Sequence, residues 1–471
     1  MKKVSIIFFI LFCFSGSYAQ ETLTLKEAVE TGINNNLEVS QSGIRVKRSE
    51  INWKQSKAFQ LPDLNAFLNH GMNQGRSIDP FTNAYINQNV TYANYGANTN
   101  VLLFNGFALN HKIKEDKLAF EATQKELQQA KDNLTINIIL AYLQVLSAQD
   151  VLEQSLKQVT VSNQQVNRLS ILNKEGAIAP AMLYDLKGQV ANDQLAVADN
   201  TAALENAKLN LCQLMNIPYD KNLVVEKLPL AAFQPGYTET AENIYQAALQ
   251  HFAMIQAVDL WAQSSEYGVK SARGSLFPKL SFGAGINSNY SSAASQSYYL
   301  NDKEVVSKDF VNINGDMYPV THVVPVYNSK KINFSDQLSN NLFTSISLNL
   351  SVPLFNANQT RNKIKLAKLD LENSRIIEKS SKIQLQQSIE KAFVELTNAQ
   401  SRLTILEDQV TSFAESFRAA EIRFNAGDIT SVDYLIAKNN YDRSQINLII
   451  SKYDVILRKK VLDYYQGAQL W

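Results

Sequence analysis

The chain has 471 residues, with 45 Lys and Arg against 44 Asp and Glu, so its formal net charge is close to zero. Only 19% of the residues are charged, whereas a nucleic-acid-binding surface needs a marked excess of basic side chains. Composition therefore argues against a nucleic-acid partner.

The first residues have the pattern of a secretory signal peptide, which we place at residues 1–19. A basic start is followed by the apolar run Val4–Phe14, too short to cross a bilayer as a helix, and Ser17-Tyr18-Ala19 offers small residues for cleavage. Cleavage removes two Lys and no acid, leaving 43 basic against 44 acidic residues. It also leaves Cys212 as the only cysteine, so no internal disulfide is expected.

The remaining chain is an internal duplication with an offset of 251 residues, because Phe107–Asn173 returns as Asn358–Phe424. Both copies carry apolar residues seven apart, the spacing of a coiled-coil seam. The seam residues are Ile138, Val145, Leu152, Val159 and Val166, and then Ile389, Leu396, Leu403, Val410 and Phe417. Each helix would be about 100 Å long, so it needs neighbouring helices in a tube or rod. The predicted repeats are residues 20–238 and 239–471.

Shorter helical patterns precede the strands of each repeat. One starts at the capping box Thr24-Leu25-Lys26-Glu27 and runs towards Phe59, where Leu61-Pro62 ends it. Its counterpart covers residues 240–276 and ends at Phe277-Pro278. We expect one continuous helix in each case.

Turns are predicted after both long helices, at Gly176 and Gly427, which are again 251 residues apart. Glycine permits the left-handed conformation at a helix C-terminus. A second helix then folds back, starting at Pro180 in the first repeat and at Thr430-Ser431-Val432-Asp433 in the second. A short strand is also expected at residues 223–226.

Four segments alternate between apolar and polar residues, which predicts β-strands. They begin at Leu64, Ala93, Leu280 and Leu342, and Asn, Ser and Gly dominate the opposite face. Such strands also occur on soluble cores, but the signal peptide and the small polar face favour apolar-out strands around a wet lumen. The intervening segments His70–Thr91 and Ser288–Asn340 are predicted to be long surface loops.

Four membrane strands cannot close a barrel, because an open edge in lipid leaves backbone groups unpaired. The barrel must therefore be shared between chains. Two chains would give eight strands with a filled interior, and three would give twelve with an open lumen. The fold class is thus α+β, a duplicated membrane protein with long coiled-coil helices.

At this point the chain resembles the TolC-like outer-membrane efflux and secretion channels over nearly its whole mature length. The resemblance rests on Leu23–Ala28 with Asn35-Asn36, the paired Pro62 and Pro278, the doubled Leu-Phe-Asn at residues 103–105 and 354–356, and Phe424-Asn425-Ala426-Gly427 with Asp433 and Leu435. It implies a homotrimer with a 12-stranded barrel in the outer membrane and a periplasmic α-helical tunnel. It further implies docking to a periplasmic adaptor protein and an inner-membrane pump.

The resemblance also implies a pore constriction at the periplasmic tip, formed by an aromatic residue before the turn and acids after it. The matching residues are Phe424 and Asp433, and Asp185 stands one turn beyond Met182, where the family can carry an acid. Asp433 is equally well explained as a helix-capping residue.

Other classes of function have less support. The four His are scattered without metal spacing and the mature chain has no Cys pair, so no enzyme, metal or cofactor is expected. The alternative to a channel is a periplasmic coiled-coil adaptor or scaffold without a pore. A surface scaffold that displays residues 288–340 is a further alternative.

Overall fold

The computed structural model describes residues 22–78, 83–228 and 239–468, so the predicted signal peptide at residues 1–19 lies outside the described residues. The helices are α1 (Leu25–Asn35), α2 (Leu37–Ala58), α3 (Ala108–Lys174), α4 (Pro180–Leu214), α5 (Ala241–His251), α6 (Ala253–Gly274), α7 (Phe334–Asn340), α8 (Gln359–Asn425) and α9 (Ser431–Gln466). The strands are β1 (Asp63–Asn73), β2 (Arg76–Ile78), β3 (Tyr85–Asn87), β4 (Val90–Phe104), β5 (Lys279–Ser291), β6 (Ser295–Ile313), β7 (Asp316–Lys331) and β8 (Phe343–Ser351).

The chain divides into two compact units. The helical unit contains the segment that ends at Glu50, Leu118–Gln263, and the segment that starts at Glu372. The sheet unit contains Ile51–Lys117 and Ser264–Leu371.

The order of elements repeats in the two halves of the chain. Two helices, two long strands, a long helix and a return helix appear as α1-α2-β1-β4-α3-α4 and again as α5-α6-β5-β8-α8-α9. Both α3 and α8 have 67 residues, and their first and last residues differ by 251 in number. The long helices of the sequence prediction are confirmed, and each lies one residue further along the chain than the predicted segment.

The shorter helices are not continuous as predicted. A capping box between Thr24 and Glu27 starts α1, but Asn36 adopts an extended backbone and separates it from α2. The Asn36 side-chain oxygen accepts hydrogen bonds from the backbone N–H groups of Glu38 and Val39 at 2.9 and 3.0 Å, so it caps a new helix. Phe252 makes the equivalent break between α5 and α6.

The core of the helical unit is built on α3. Ile138 and Val145 have no exposed surface, and their duplicates 251 residues later are at most 2% exposed, so this part of the predicted seam is confirmed. Further along, Val159 and Val166 are only half-buried. The buried stripe there consists of Val151, Ser155, Gln158, Ser162, Gln165 and Leu169. This stripe also repeats every seven residues, but its residues stand one position before and three positions after those of the predicted seam.

The predicted strand at residues 223–226 is a single parallel bridge between Leu23 and Val225. The hydroxyl of Tyr142 on α3 lies 2.8 Å from the Leu23 carbonyl oxygen and 2.9 Å from that of Glu226. This contact fastens the linker between the repeats to the helical core.

The sheet unit contains a four-stranded antiparallel sheet in the order β1-β4-β5-β8. Its strands coincide with the four predicted segments, which confirms them. The two edges, β1 and β8, have no further strand partner among the described residues.

The segment Ser288–Asn340 is not a loop, contrary to the sequence prediction. It contains the two-stranded hairpin β6/β7, which we call the arm (Ser295–Lys331), and the short helix α7. Asn314 and Gly315 connect the strands with φ values of 53° and 101°. Two such residues form the type I′ turn that matches strand twist, so Asn-Gly was a hairpin signal in the sequence. In the segment His70–Thr91, β1 extends to Asn73 and is followed by β2 and β3.

The position of Ala141 leads to a test of the helical core. Ala141 is 3% exposed and belongs to the cluster around Ile138 and Val145. Ala141→Phe should overpack this cluster and destabilise the protein by about 1–3 kcal/mol. Thermal unfolding followed by circular dichroism measures the effect, with Ala84→Phe at an exposed position as the control. Equal melting temperatures for the two variants would contradict this packing.

Candidate pore constriction and membrane sheet

One face of the four-stranded sheet is apolar and is exposed along much of its length, while Phe334 of α7 packs against Tyr95 and Tyr290 at one end of it. Residues that pair directly across antiparallel strands lie on the same face, and the register places Ala66, Ala97 and Ile286 in one such row. The largest exposed side chains of this face are Leu64, Leu68, Met72, Ile286, Ile346, Leu348 and Leu350. They are between 44% and 77% exposed, which is unusual for a soluble sheet and suited to contact with lipid.

The opposite face is polar and carries few charges. One row consists of Asn65, Asn98, Gly285 and Ser345, which pair in register across all four strands. Small side chains suit a face that lines water, and the sequence prediction of a polar lumen face agrees with this register.

Phe67 interrupts the polar face and was not anticipated from the sequence. It pairs with Gly96, and a Cβ built at Gly96 would stand 2.6 Å from the Phe67 ring and 2.3 Å from the Asn287 side-chain oxygen. The absence of a side chain at Gly96 therefore lets the Phe67 ring lie against the sheet. This close approach explains a glycine in the middle of a membrane strand.

The long helices of both repeats end in the same turn, at the predicted glycines. Gly176 has φ +70° and Gly427 has φ +80°. The N–H of the residue after each glycine donates to a carbonyl five residues earlier, Leu172 at 2.8 Å and Arg423 at 2.9 Å. The duplication thus extends to individual backbone hydrogen bonds.

Asp433 lies in the first turn of α9 and forms a capping box with Thr430. Its carboxylate accepts from the Thr430 hydroxyl at 2.7 Å, and its own N–H donates to that hydroxyl at 3.1 Å. The capping function is therefore confirmed. The Asp433 side chain is also exposed, so a second function in the pore is compatible with the cap.

Asp185 connects the two return helices. Its carboxylate accepts from the hydroxyl of Ser431 at 2.7 Å, which joins α4 to the start of α9. Asp433 follows Ser431 by two residues in α9. Asp185 therefore lies beside the helical turn that carries Asp433.

Phe424 is buried next to the turns at Gly176 and Gly427 and does not lie on the surface of the chain. It is 5% exposed and stacks on Tyr434, with ring centroids 4.6 Å apart and an interplanar angle of 18°. Leu169, Leu183 and Leu186 complete this cluster, which joins α3, α4, α8 and α9. Phe424 thus supports the turns from within, and its ring does not project from the single chain.

Sequence reasoning missed a buried charged cluster close to the tip. Lys438 is 1% exposed, and its ammonium group donates to the carboxylates of Asp193 at 3.1 Å and of Asp442. The Ser162 hydroxyl also donates to Asp193, so α3, α4 and α9 all contribute. Burial raises the pKa of the Asp442 carboxyl, while the ammonium group of Lys438 acts in the opposite direction. One signal of this cluster was available in the sequence. Lys438 stands four residues after the aromatic Tyr434 and therefore lies on the same helix face.

The two turn glycines can be tested through their backbone conformation. No atom lies within 4 Å of a Cβ built at Gly427, so Gly427→Ala isolates the cost of a positive φ, about 1–2 kcal/mol. Gly188 within α4 is equally open but lacks a positive φ, and Gly188→Ala should stabilise by roughly 0.5–1 kcal/mol. Thermal unfolding should therefore shift in opposite directions for the two variants. A shift in the same direction would contradict the assigned turn.

The buried cluster gives a larger expected effect. Lys438→Met leaves the carboxylates of Asp193 and Asp442 buried without their cation, and breaking such a pair costs about 3–5 kcal/mol. Lys187, its counterpart 251 residues earlier, is exposed, and Lys187→Met should change stability by less than about 0.5 kcal/mol. Adding Asp193→Asn to Lys438→Met should restore part of the loss. Chemical unfolding measures all three, and an unchanged Lys438→Met variant would show that the cluster is not important for stability.

Within residues 22–78, 83–228 and 239–468, no group of three or more His, Cys, Asp or Glu is arranged to hold a metal ion. Cys212 is buried with no exposed surface.

Comparison with known proteins places the chain in a family. Residues 29–216 and 244–463 match the sequence model of a protein family that is described as outer membrane efflux protein. The outer membrane efflux protein BepC of Brucella suis biovar 1 (strain 1330) is 20% identical over 441 residues, 93% of this chain and 84% of that protein. Toxin and drug export protein A of Aggregatibacter actinomycetemcomitans is 21% identical over 448 residues, 92% of this chain and 83% of that protein.

A solved structure shares the fold. The outer membrane protein VceC of Vibrio cholerae superposes with a TM-score of 0.74 at 15% identity, over 95% of this chain and 97% of that chain. The matched structures are TolC-like channels with a helical tunnel and a sheet, and members of the matched family work with periplasmic adaptors and inner-membrane pumps. This chain is located in the bacterial outer membrane and has a large periplasmic part. It belongs to the outer membrane efflux protein family and is the outer-membrane exit duct of an efflux or secretion system.

Proposed function

We propose that three copies of this chain close a 12-stranded barrel in the outer membrane. The observation that carries the proposal is the sheet β1-β4-β5-β8, whose edge strands have no partner among the described residues while one face is apolar. In lipid, each unpaired backbone group costs several kcal/mol, so β8 of one copy pairs with β1 of the next. Each repeat, 20–238 and 239–471, supplies two strands.

The helices support the same stoichiometry. The duplicated helices α3 and α8 are equal in length, yet α3 buries nineteen residues and α8 only seven. Apolar side chains on α8 that are between 46% and 66% exposed are Leu366, Leu369, Ile376, Ile377, Ile383, Val394, Ile405 and Ile422. A helix of this kind needs lateral partners, which neighbouring copies provide in a tunnel of twelve helices, four from each chain.

A twelve-stranded barrel has an open lumen, whereas eight strands would fill with side chains. The rows of Asn, Ser and Gly on the polar sheet face then line a wet and nearly uncharged passage. Such a lining suits a broad range of exported solutes and gives no binding site for one substrate. The tunnel end docks a periplasmic adaptor that is joined to an inner-membrane pump.

The constriction of the passage lies at the periplasmic tip, next to Gly176 and Gly427. Asp433 supplies one exposed carboxylate per chain, Asp185 fixes the start of α9 through Ser431, and Phe424 holds the turn from inside. Three copies bring equal charges around one axis, which attracts cations and repels anions.

Isosteric removal of the charge tests this constriction. Asp433→Asn keeps a side-chain oxygen for the Thr430 cap but removes the three carboxylates, so cation selectivity should fall while trimer stability changes little. Asp433→Ala should lower selectivity equally and, in addition, weaken the cap by up to about 2 kcal/mol. Reversal potentials of purified channels in planar bilayers under a salt gradient measure the selectivity.

Glu27 provides the matched control, since it forms the same capping box with Thr24 at the start of α1. Glu27→Gln should leave the reversal potential unchanged. If Asp433→Asn leaves selectivity intact in a stable trimer, Asp433 is only a helix cap and the constriction is elsewhere.

A further inference from the structure

The arm is anchored firmly at its base. Gln337 of α7 is 1% exposed, and its side chain accepts from the Ser291 N–H at 2.9 Å and donates to the carbonyl oxygens of Ser291 and Ile332 at 3.0 and 2.9 Å. The Ile332 N–H in turn donates to the Ala294 carbonyl oxygen at 3.1 Å. The arm therefore leaves β5 in a fixed direction. It follows the C-terminal end of β5, whereas α6 is connected to the N-terminal end.

Beyond this base, most residues of both strands of the arm are exposed in the part of the chain that the structure describes. Its two strands have 19 and 16 residues, and an isolated two-stranded hairpin is at best marginally stable in water. Large apolar side chains are exposed on both faces. They include Tyr298, Tyr299, Val306, Phe310, Val311, Tyr318, Val323 and Tyr327, between 46% and 61% exposed. Such surfaces mark contact sites.

The edges of the arm are unsuited to addition of another strand. Pro319 and Pro325 lie in β7 and have no N–H to donate, and prolines in sheets occupy edges whose N–H side faces solvent. The register of β6 shifts between Tyr299 and Asn301 and again between Val306 and Phe310. Bulges and prolines both block edge pairing, so contact must be made through the faces.

The two faces carry opposite charges at the same height along the arm. Register places Asp302 and Glu304 on one face, opposite Pro325 and Val323, and we call it the acidic face. Lys303 lies between them in sequence and thus on the other side, which we call the basic face. The arm as a whole is neutral, with four Lys against four Asp and Glu in residues 295–331.

We propose that the acidic face of each arm packs against the basic face of the arm on the next copy, so that three arms form a closed collar at the outer mouth of the duct. Rotation about the channel axis preserves height, so Asp302 and Glu304 of one copy meet Lys303 of the next, and the apolar side chains are buried around them. The proposal rests on the trimer proposed above.

Disulfide trapping tests the collar. Val306 pairs with Thr321 on the acidic face, and Val305 pairs with His322 on the basic face. The double variant Val305→Cys/Val306→Cys, in a background with Cys212→Ala, should form covalent trimers after mild oxidation of the purified mature protein. Each single variant should form several-fold less covalent product. When the acidic face of one arm packs against the basic face of the next, the same residue of two copies does not come together.

A charge exchange sharpens the test. Asp302→Lys/Glu304→Lys in the double-cysteine chain should reduce covalent trimer several-fold, and the further change Lys303→Glu should restore it because the faces are again complementary. Absence of cross-links in protein whose mass in detergent is trimeric would overturn the collar alone. Cross-linking of a single variant as strong as that of the double variant would overturn the head-to-tail arrangement. If the protein without these substitutions is not trimeric in detergent, the proposed function and the collar are overturned together.

Discussion

The backbone hydrogen bonds of β1 and β8 are the constraint on which the structure depends. Water satisfies an open sheet edge in a soluble protein, but nothing does so in the hydrocarbon core of a membrane. One chain supplies only four strands, with both edges unpaired among the described residues. In the proposed trimer the sheet is one part of a larger closed surface.

The core of the helical unit changes in character along the helices. Near the middle of α3 the core is largely apolar, with Ile138 and Tyr142 fully buried. Towards the turns the buried stripe becomes polar and contains Ser162 and the charged pair Asp193–Lys438. Polar contacts are directional, so they fix how the return helices meet more strictly than apolar packing does. This suits the pore constriction that we propose next to the turns.

Much of the fold could be predicted because the sequence contains an internal duplication. The offset of 251 residues located both long helices to within one residue, and it placed Gly176 and Gly427 at equivalent turns. Period-two alternation found all four membrane strands because one face of each is apolar. The arm was missed because both of its faces mix apolar and charged residues, so no alternation marks it, and only Asn314-Gly315 signalled a turn.

The candidate site was less accessible to sequence reasoning than the fold. Asp433 and the turn glycines follow from local patterns, since capping boxes and left-handed turns involve neighbouring residues. The breaks at Asn36 and Phe252 depend on one residue each, and helical periodicity continues across them. The contacts Asp185–Ser431 and Lys438–Asp193 join residues about 245 positions apart, and no single-sequence pattern encodes such distances.

The central claim is that the open edges of one chain are closed by other copies of the same chain. The mass of the detergent-solubilised protein, measured by light scattering with correction for bound detergent, tests it most directly. We expect three chains per particle and precipitation when detergent is removed. A stable, water-soluble particle of one chain would contradict it.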